Sequence, residues 1–245
     1  MKYGLEDDLL KGIDFAEKEG YPVILKINDS SKGRGIYKVY NTNELIEKSK
    51  VILSKTNTFQ IQKYYIYNDY RVVVLGNKVI SAYQRIPLNV IGDGAKTIRQ
   101  LLEIKQQNFH KNGRDTILNI EDEDIIEILS KLGYNLETIL AKGEICLLKN
   151  ISNLSAGGDC VELTDKISKD YTNLCINIAH DFNLNLCGID IMCRDICKKI
   201  DSYIILEINS SPGLDNYAYD GIKQEMYVKE LYRKVLLYIR DEMAT

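Results

Sequence analysis

The sequence predicts an α+β protein whose strands pair mainly in antiparallel hairpins. Apolar runs over residues 70–76 and 78–84 flank the pair Gly76-Asn77, which is typical of a tight hairpin turn. Further along, the apolar runs Leu186–Cys193 and Tyr203–Asn209 follow each other directly as strands. The order of elements lacks the regular strand–helix alternation of a doubly wound parallel sheet, so α+β lobes are favoured.

Helices are predicted where apolar residues recur every three or four positions. Leu5, Leu9, Ile13 and Ala16 show this spacing up to Gly20. Elsewhere, Thr97 can cap a helix, acidic residues can begin one and a glycine can end one. The remaining predicted helices run over about 43–54, from Thr97 to about 108, from 121–124 to Gly133, over about 169–182 and over about 221–241.

The remaining strands are short and apolar, and polar or glycine-bearing loops separate them. The predicted strands are residues 22–27, 36–39, 59–65 and 144–149. The predicted loops are residues 28–35, 153–159 and 210–213. Loop 153–159 contains too much glycine for either a helix or a strand to be expected there.

The bulk composition excludes several classes of partner. The chain is 45% hydrophobic and 27% charged, with a formal net charge of -3 and a pI near 5.6, so it presents no basic field for nucleic acid. Acidic residues occupy the N-terminal segment, where a signal peptide needs an apolar core. No apolar run approaches the roughly 20 residues that span a bilayer. We therefore expect a cytoplasmic protein with neither a nucleic-acid nor a membrane partner.

The six cysteines can be interpreted as a disulfide set, as zinc ligands or as reduced core residues. Their irregular spacing argues against a disulfide framework, and most lie in apolar stretches where a thiol behaves as a small hydrophobe. Cys193 and Cys197 form a single C-x-x-x-C pair, and both histidines lie in predicted helices. Reduced, buried cysteines are the favoured interpretation.

Three polar residues in two apolar strands predict a metal site. Glu207 and Asn209 are two apart on one strand and so point to the same face, and an adjacent antiparallel strand can bring Asp190 beside them. Oxygen ligands of this kind suit Mg2+. The alternative is a solvated polar face, but the neighbouring residues are apolar on both faces, where a carboxylate needs a partner or a metal.

A second candidate site is the loop that follows a buried strand ending near Lys26. Residues 28–35 offer small side chains, backbone amides and two further cations, which can fold over a triphosphate. The loop lacks the G-x-x-x-x-G-K-[ST] pattern, so a Walker-type P-loop is excluded. Taken alone, a Gly-Arg-Gly turn is also common in proteins without nucleotide.

Several short motifs occur in one order along nearly the whole chain. They are PVILKINDSSKGRGI at 22–36, QIQKYY at 60–65, DYR at 69–71, IGDGAKTI at 91–98, NLSAGG at 153–158, TD at 164–165, GID at 188–190 and EINSSPG at 207–213. This series resembles the ATP-grasp module of cyanophycin synthetase. It is also similar to the ligase half of bifunctional glutathione synthetase.

The resemblance implies an ATP-grasp fold, with two α+β lobes and a nucleotide between them. Residues 1–66 would form the N-terminal lobe with the phosphate loop. Residues 67–245 would form the C-terminal lobe with the metal site and a helical insertion at about 88–143. ATP and Mg2+ are the implied cofactors.

The resemblance also implies roles for individual residues. Nucleotide contacts would come from Lys26, Ser30, Ser31, Lys32, Gly33, Arg34, Gly35, Gln62, Lys63, Tyr65 and Asp69, the last through the ribose. Asp190, Glu207 and Asn209 would hold Mg2+. Arg71, Arg85 and Lys149 are candidates for contacts to phosphate or carboxylate, and Asn153, Ser155, Gly157 and Gly158 would line the acceptor side.

The implied reaction is ATP-dependent joining of a carboxylate to an amine through an acyl phosphate. The substrates would be small amino acids or peptides. A kinase on the same fold and an ATP-binding module that needs a partner remain alternatives. The family has an upstream lysine and a substrate-binding domain, and few residues precede Lys26, so a partner domain, a subunit or a homo-oligomer is expected to complete the site.

Overall fold

The computed structural model describes residues 5–27, 35–213 and 222–243. Contacts between residues divide the chain into two compact units, Met1–Ile66 and Tyr67–Thr245. Within the described ranges, no helix is long and apolar enough to cross a membrane. The predicted loop residues 28–34 lie outside the described residues.

The first unit is a three-stranded antiparallel sheet with helices packed on one face. Its elements are α1 (Leu5–Glu19), β1 (Val23–Ile27), β2 (Ile36–Val39), α2 (Thr42–Leu53) and β3 (Phe59–Lys63), with the strand order β2-β1-β3. Val23 and Leu25 of β1 are buried against the helices, together with Val39, Leu45 and Ile52. Asn41 caps α2 by accepting a hydrogen bond from the Glu44 amide at 3.0 Å.

The second unit is built on a five-stranded antiparallel sheet. Its strands are β4 (Asn68–Leu75), β5 (Lys78–Ile86), β8 (Asp159–Glu162), β9 (Leu186–Cys193) and β10 (Tyr203–Asn209), in the order β10-β9-β4-β5-β8. The hairpin between β4 and β5 closes at Gly76, whose φ of 53° is in the left-handed region, as the Gly76-Asn77 turn predicts.

Helices cover both faces of this sheet. Helix α5 (Lys169–Asp181) covers one face, where Tyr171, Cys175 and Ala179 pack on alternate residues of β4 and β9. Helix α6 (Ile222–Met243) covers part of the other, where Val228 and Leu231 join a second buried cluster. The second face continues into charged residues beyond this cluster, and they form the candidate site.

Between β5 and β8 the chain forms a small subdomain with its own core. It contains β6 (Asn89–Ile91), α3 (Ile98–Lys111), α4 (Glu123–Lys131) and β7 (Ile145–Leu147), and β6 pairs with β7. Its buried residues include Leu88, Ile98, Leu102, Ile125 and Leu129. Thr97 caps α3 as predicted, in a capping box with Gln100.

All six cysteines are reduced, and all except Cys197 are buried. Four of them, including Cys175 and Cys193, lie within or against the core beneath α5. Burial raises the pKa of the Cys175 thiol to about 12 and that of Cys193 to about 11. These side chains pack as small apolar residues.

The α+β class is confirmed, while two local predictions agree with the structure only in part. The strand predicted at 144–149 shortens to β7 because the Glu144 carboxylate accepts hydrogen bonds from the Ala141 amide and the Tyr134 hydroxyl and so closes a turn. The segment predicted as a loop at 153–159 contains a 3-10 turn, Leu154–Ala156, and the first residue of β8.

Replacing Thr97 by alanine should lower the free energy of unfolding by about 1 kcal/mol, because the first turn of α3 loses the hydroxyl that accepts from the Gln100 amide. Thermal or urea unfolding measures the change. The control is Thr97→Ser, which keeps the hydroxyl and should retain most of the stability. Equal losses in both variants would contradict a capping role.

Candidate active site

Charged residues from three adjacent strands form a row across the sheet face that α6 leaves partly uncovered. Strand register places Glu207 of β10 opposite Asp190 of β9, and Asp190 opposite Arg71 of β4. The next position in the row is Tyr83 of β5. Residues directly opposite in an antiparallel sheet project to the same face, so the register alone brings these side chains together.

Asp190 is the centre of this row. Its two carboxylate oxygens accept hydrogen bonds from Nε and Nη2 of Arg71 at 2.7 and 2.8 Å, a bidentate pair. Nη1 of Arg85 lies 2.9 Å from Oδ2 of the same carboxylate. The Asp190 side chain is only 5% exposed, so two guanidinium groups compensate one buried negative charge.

Asp69 completes the cluster from β4. Its Oδ1 accepts from Nη2 and Nε of Arg85 at 2.6 and 3.1 Å. Burial raises the pKa of the Asp69 carboxyl to about 6, and the nearby charge of Asp190 adds to this, while Arg85 and Arg71 act in the opposite direction. Asp69 is thus ionised at neutral pH only because two arginines lie beside it.

The same cluster keeps the guanidinium groups of Arg71 and Arg85 protonated. Burial by itself would lower the pKa of Arg71, but the hydrogen bonds and charge of Asp190 outweigh it, and the pKa is raised. The pKa of Arg85 is likewise raised, against burial, by Asp69 and Asp190. Burial raises the pKa of the Tyr83 hydroxyl to about 12, so this group, which is hydrogen-bonded to Arg71, stays protonated.

The donor set of Asp190, Glu207 and Asn209 suits a magnesium ion. A carboxylate offers about four lone-pair positions, and three of those on Asp190 are used by the arginines, which leaves one on Oδ1. The exposed Glu207 makes no hydrogen bond or ion pair with any residue in the described ranges. Two arginines offset Asp69 and Asp190, so the charge of Glu207 is the one left for a cation.

Asn209 lies two residues beyond Glu207 on the same face of β10. Its Nδ2 atom is buried and makes no hydrogen bond among the described residues. The side-chain amide is therefore not committed to another structural role within this part of the chain. Its oxygen can serve as the third ligand.

The predicted acceptor loop lies at the end of β5. The Oδ1 atom of Asn153 accepts from the backbone amide and hydroxyl of Ser155 at 3.1 and 3.0 Å, which closes the 3-10 turn. Gly157 has a φ of 92° and Gly158 lies against Ile86, where an added Cβ would be 2.5 Å from the Ile86 carbonyl oxygen. The loop thus contacts the residue that follows Arg85.

Arg114 is a residue that sequence reasoning missed. Only 1% exposed, it lies beneath the loop and donates from Nη2 to the carbonyl oxygens of Leu154 and Gly158. No motif contains it, and it follows a glycine in a polar connection after α3. Tyr83 was missed as well, although its place in an apolar alternating strand could have indicated a position beside Arg71.

Two predicted anion- or nucleotide-binding lysines have other partners. Lys149 forms ion pairs with Asp122 at 2.8 Å and Asp124 at 3.1 Å, at the beginning of α4. Lys63 pairs with Glu19 of α1 at 3.1 Å, which raises the lysine pKa. The structure therefore does not bring Lys149 into the arginine–aspartate cluster, because the acidic start of α4 attracts its ammonium group.

Of the predicted nucleotide residues of the first unit, Lys26 and Gln62 lie on the sheet face opposite the helices. Lys26 pairs with Gln60 across the sheet, and the Gln62 amide donates to Gln60 at 3.0 Å. Gly35 has a φ of 70°, and an added Cβ would be 2.3 Å from Cδ1 of Ile27, so only glycine fits where β2 begins.

Tyr65 follows β3, and its ring centroid lies 5.8 Å from the Lys63 ammonium. The remaining predicted phosphate-loop residues lie outside the described residues: Ser30, Ser31, Lys32, Gly33 and Arg34.

The region around this site is similar to known proteins in both sequence and fold. Residues 148–230, which include the acceptor loop, Asp190, Glu207 and Asn209, match the RimK-like ATP-grasp domain. Over these residues the chain is similar to the RimK-like ATP-grasp family. A bifunctional glutathione synthetase from Pasteurella multocida superposes with a TM-score of 0.56 at 22% identity, over 92% of this chain and 33% of that one, and shows that the fold is the ATP-grasp fold.

Curated relatives of this ATP-grasp domain are larger proteins. The chain is 33% identical to cyanophycin synthetase of Geminocystis herdmanii over 217 residues, 84% of this chain and 24% of that protein. It is 26% identical to the glutathione biosynthesis bifunctional protein GshAB of Mannheimia succiniciproducens, over 79% of this chain and 27% of that protein. The chain thus spans about a quarter of the length of these relatives.

The raised pKa of Asp69 predicts that this part of the ATP-grasp domain loses stability as pH rises. The native state holds the Asp69 proton up to about pH 6, whereas the unfolded chain releases it near 3.8. The Asp69 proton therefore stabilises the native state fully below pH 3.8. This stabilisation, about 3 kcal/mol at most, is lost as the pH rises through 6.

Urea unfolding of the parent and Asp69→Asn between pH 4 and 7 measures this effect. The parent should lose stability relative to the variant as pH rises. The control Asp170→Asn, at an exposed position, should follow the parent within about 0.5 kcal/mol. A constant difference between the parent and Asp69→Asn would contradict the raised pKa.

The two carboxylates of the predicted metal site should differ in their effect on stability. Asp190→Asn leaves two half-buried guanidinium groups without a full counter-charge and should cost about 3–5 kcal/mol. Glu207→Gln changes an exposed side chain and should stay within about 0.5 kcal/mol. Chemical unfolding compares them, and similar losses would show that the cluster does not depend on Asp190.

Proposed function

We propose that this chain catalyses, or forms the catalytic ATP-grasp part of a protein that catalyses, ATP-dependent joining of a carboxylate to an amine. The γ-phosphoryl group of ATP would pass to the carboxylate oxygen and give an acyl phosphate and ADP. Attack of the amine on the acyl carbon would then form the amide and release phosphate. The names of the relatives, cyanophycin synthetase and a glutathione biosynthesis protein, support this reaction class and substrates that are small amino acids or peptides.

The observation that carries the proposal is the charged sheet face. Phosphoryl transfer needs cations held in place around oxygens whose charge is changing. Arg71 and Arg85 are held by the aspartates and cannot lose their protons, while Glu207 and Asn209 stay available beside them. The described side chains of this face thus provide fixed positive charge and oxygen ligands, which phosphoryl transfer to a carboxylate requires.

A magnesium ion fits Glu207, Asn209 and the remaining lone pair of Asp190, and when bound it would neutralise phosphate charge. The chain's own residues would do the rest by binding and orientation. Arg71 and Arg85 would keep Asp190 in place and direct their remaining N–H donors to an anionic oxygen. The loop with Asn153 and Ser155 would border the acceptor.

The first unit would supply the nucleotide contacts. Lys26 and Gly35 stand on either side of residues 28–34 and would begin and end a loop over the phosphates. Gln62, Lys63 and Tyr65 would meet the adenine, partly through backbone groups. Asp69 is bound to Arg85 in this structure, so contact with the ribose would require that pair to open.

Incubation with ATP, Mg2+ and a panel of amino acids and short peptides tests the proposal. Ligase activity gives ADP, phosphate and an amide product identified by its mass. A phosphorylated product without an amide would indicate a kinase. Nucleotide binding without ADP release would contradict turnover by this chain alone. A partner domain, a subunit or a second copy would then be added, and restored ADP release would be measured. We also propose that the protein acts in the cytoplasm.

Glu207→Gln should weaken binding of Mg-ATP by about tenfold, while binding of metal-free ATP changes little, because the substitution removes a ligand charge without changing shape. Calorimetric titration with and without Mg2+ separates the two constants. Glu225→Gln, at an exposed position of α6, is the matched control. Unchanged Mg-ATP binding by Glu207→Gln would contradict the metal assignment.

A further inference from the structure

Arg114 makes contacts in three directions although it belongs to no sequence motif. Nη2 donates to the Leu154 carbonyl and, at 2.9 Å, to the Gly158 carbonyl. Nε donates to the Thr116 hydroxyl at 3.2 Å, and the guanidinium carbon lies 3.9 Å from the centre of the Phe109 ring. The guanidinium plane is therefore clamped between an aromatic face and two backbone oxygens.

Such burial is costly for a permanent charge. Removal of an ion from water costs several kcal/mol in a protein interior unless hydrogen bonds replace the lost hydration. The oxygens that replace it here include the carbonyls of Leu154 and Gly158, on both sides of the turn at Gly157. The position of Arg114 and the shape of this turn thus depend on each other.

The loop turn at Gly157 is itself fixed in position relative to the charged sheet face. Gly158 lies so close to Ile86 that a methyl group would collide with the Ile86 carbonyl oxygen, and Ile86 follows Arg85 directly. A shift of the loop would therefore change the distance between Ser155 and the arginine–aspartate cluster. A chain of contacts thus runs from Phe109 through Arg114 and Gly158 to β5.

We propose that Arg114 is a positioning residue for the acceptor side of the site, because it holds the 153–158 loop in place. This proposal rests on the proposed function. Arg114 touches no reacting atom. Its effect is to keep Asn153 and Ser155 at a constant distance from Arg85, so its loss should impair use of the amine more than binding of ATP.

A lysine cannot replace this arginine fully. The planar guanidinium directs one nitrogen to two carbonyls, a second to Thr116 and its face to Phe109, whereas an ammonium group is a compact point charge on a flexible stem. Arg114→Lys should therefore give an intermediate effect and Arg114→Met the full one.

Hydrogen exchange in the full chain tests the loop without any need for turnover. The amides of Ala156 and Gly157 bond to carbonyls within the loop, so exchange over 154–158 reports its order. Arg114→Met should speed this exchange about tenfold or more, and Arg114→Lys less. Arg99→Met, which removes an arginine of α3 that pairs with Glu121 and Glu137, should leave it unchanged.

Kinetics tests the link to the acceptor. The kinetics use the amine that the substrate panel identifies. Arg114→Met should raise the KM for this amine about tenfold and change the KM for ATP by less than about twofold. Equal changes in both constants, or unchanged loop exchange, would overturn the proposal. If Arg114→Met does not fold, Arg114→Lys decides by the same two measurements. If the parent shows no turnover even with a partner domain, a subunit or a second copy supplied, the proposed function and the acceptor role fail together, while exchange still decides whether Arg114 holds the loop.

Discussion

Mutual compensation of four buried or half-buried charges determines much of the second unit. Arg71 and Arg85 each bind an aspartate of the neighbouring strand, and Arg85 reaches Asp190 as well, so two positive and two negative charges lie in direct contact. The same ion pairs discriminate against other strand registers, because a shift by one residue would turn Arg71 to the apolar face beneath α5. One set of contacts thus supports the fold and prepares the site.

The two faces of the sheet illustrate how this arrangement is sustained. Under α5 the strands present a continuous apolar surface, whose burial stabilises the sheet. On the other face, the apolar part lies under α6 and the polar part begins at Arg71. Because the sheet is anchored on its apolar side, the charged side can keep groups such as Glu207 that form no ion pair among the described residues and are available for ligands.

Local sequence patterns predict those structural features that depend on residues close together in the chain. Hairpin turns, the Thr97 cap and the alternation that pairs Glu207 with Asn209 on one face all follow from residues a few positions apart. The bidentate pair of Arg71 and Asp190 joins residues 119 positions apart, and the contact of Arg114 with Gly158 spans 44. Such contacts depend on tertiary packing, which explains why neither the ion pairs of Lys149 nor the place of Arg114 follows from the sequence.

The buried thiols give this chain a set of internal reporters. It has no tryptophan, and its tyrosines are spread throughout the sequence, so intrinsic fluorescence resolves little. A thiol reagent, in contrast, reaches Cys175 or Cys187 only when the layer beneath α5 opens, while Cys146 belongs to the separate core of the helical insertion. Labelling rates followed by peptide mass would therefore time the opening of each layer separately in the unmodified protein.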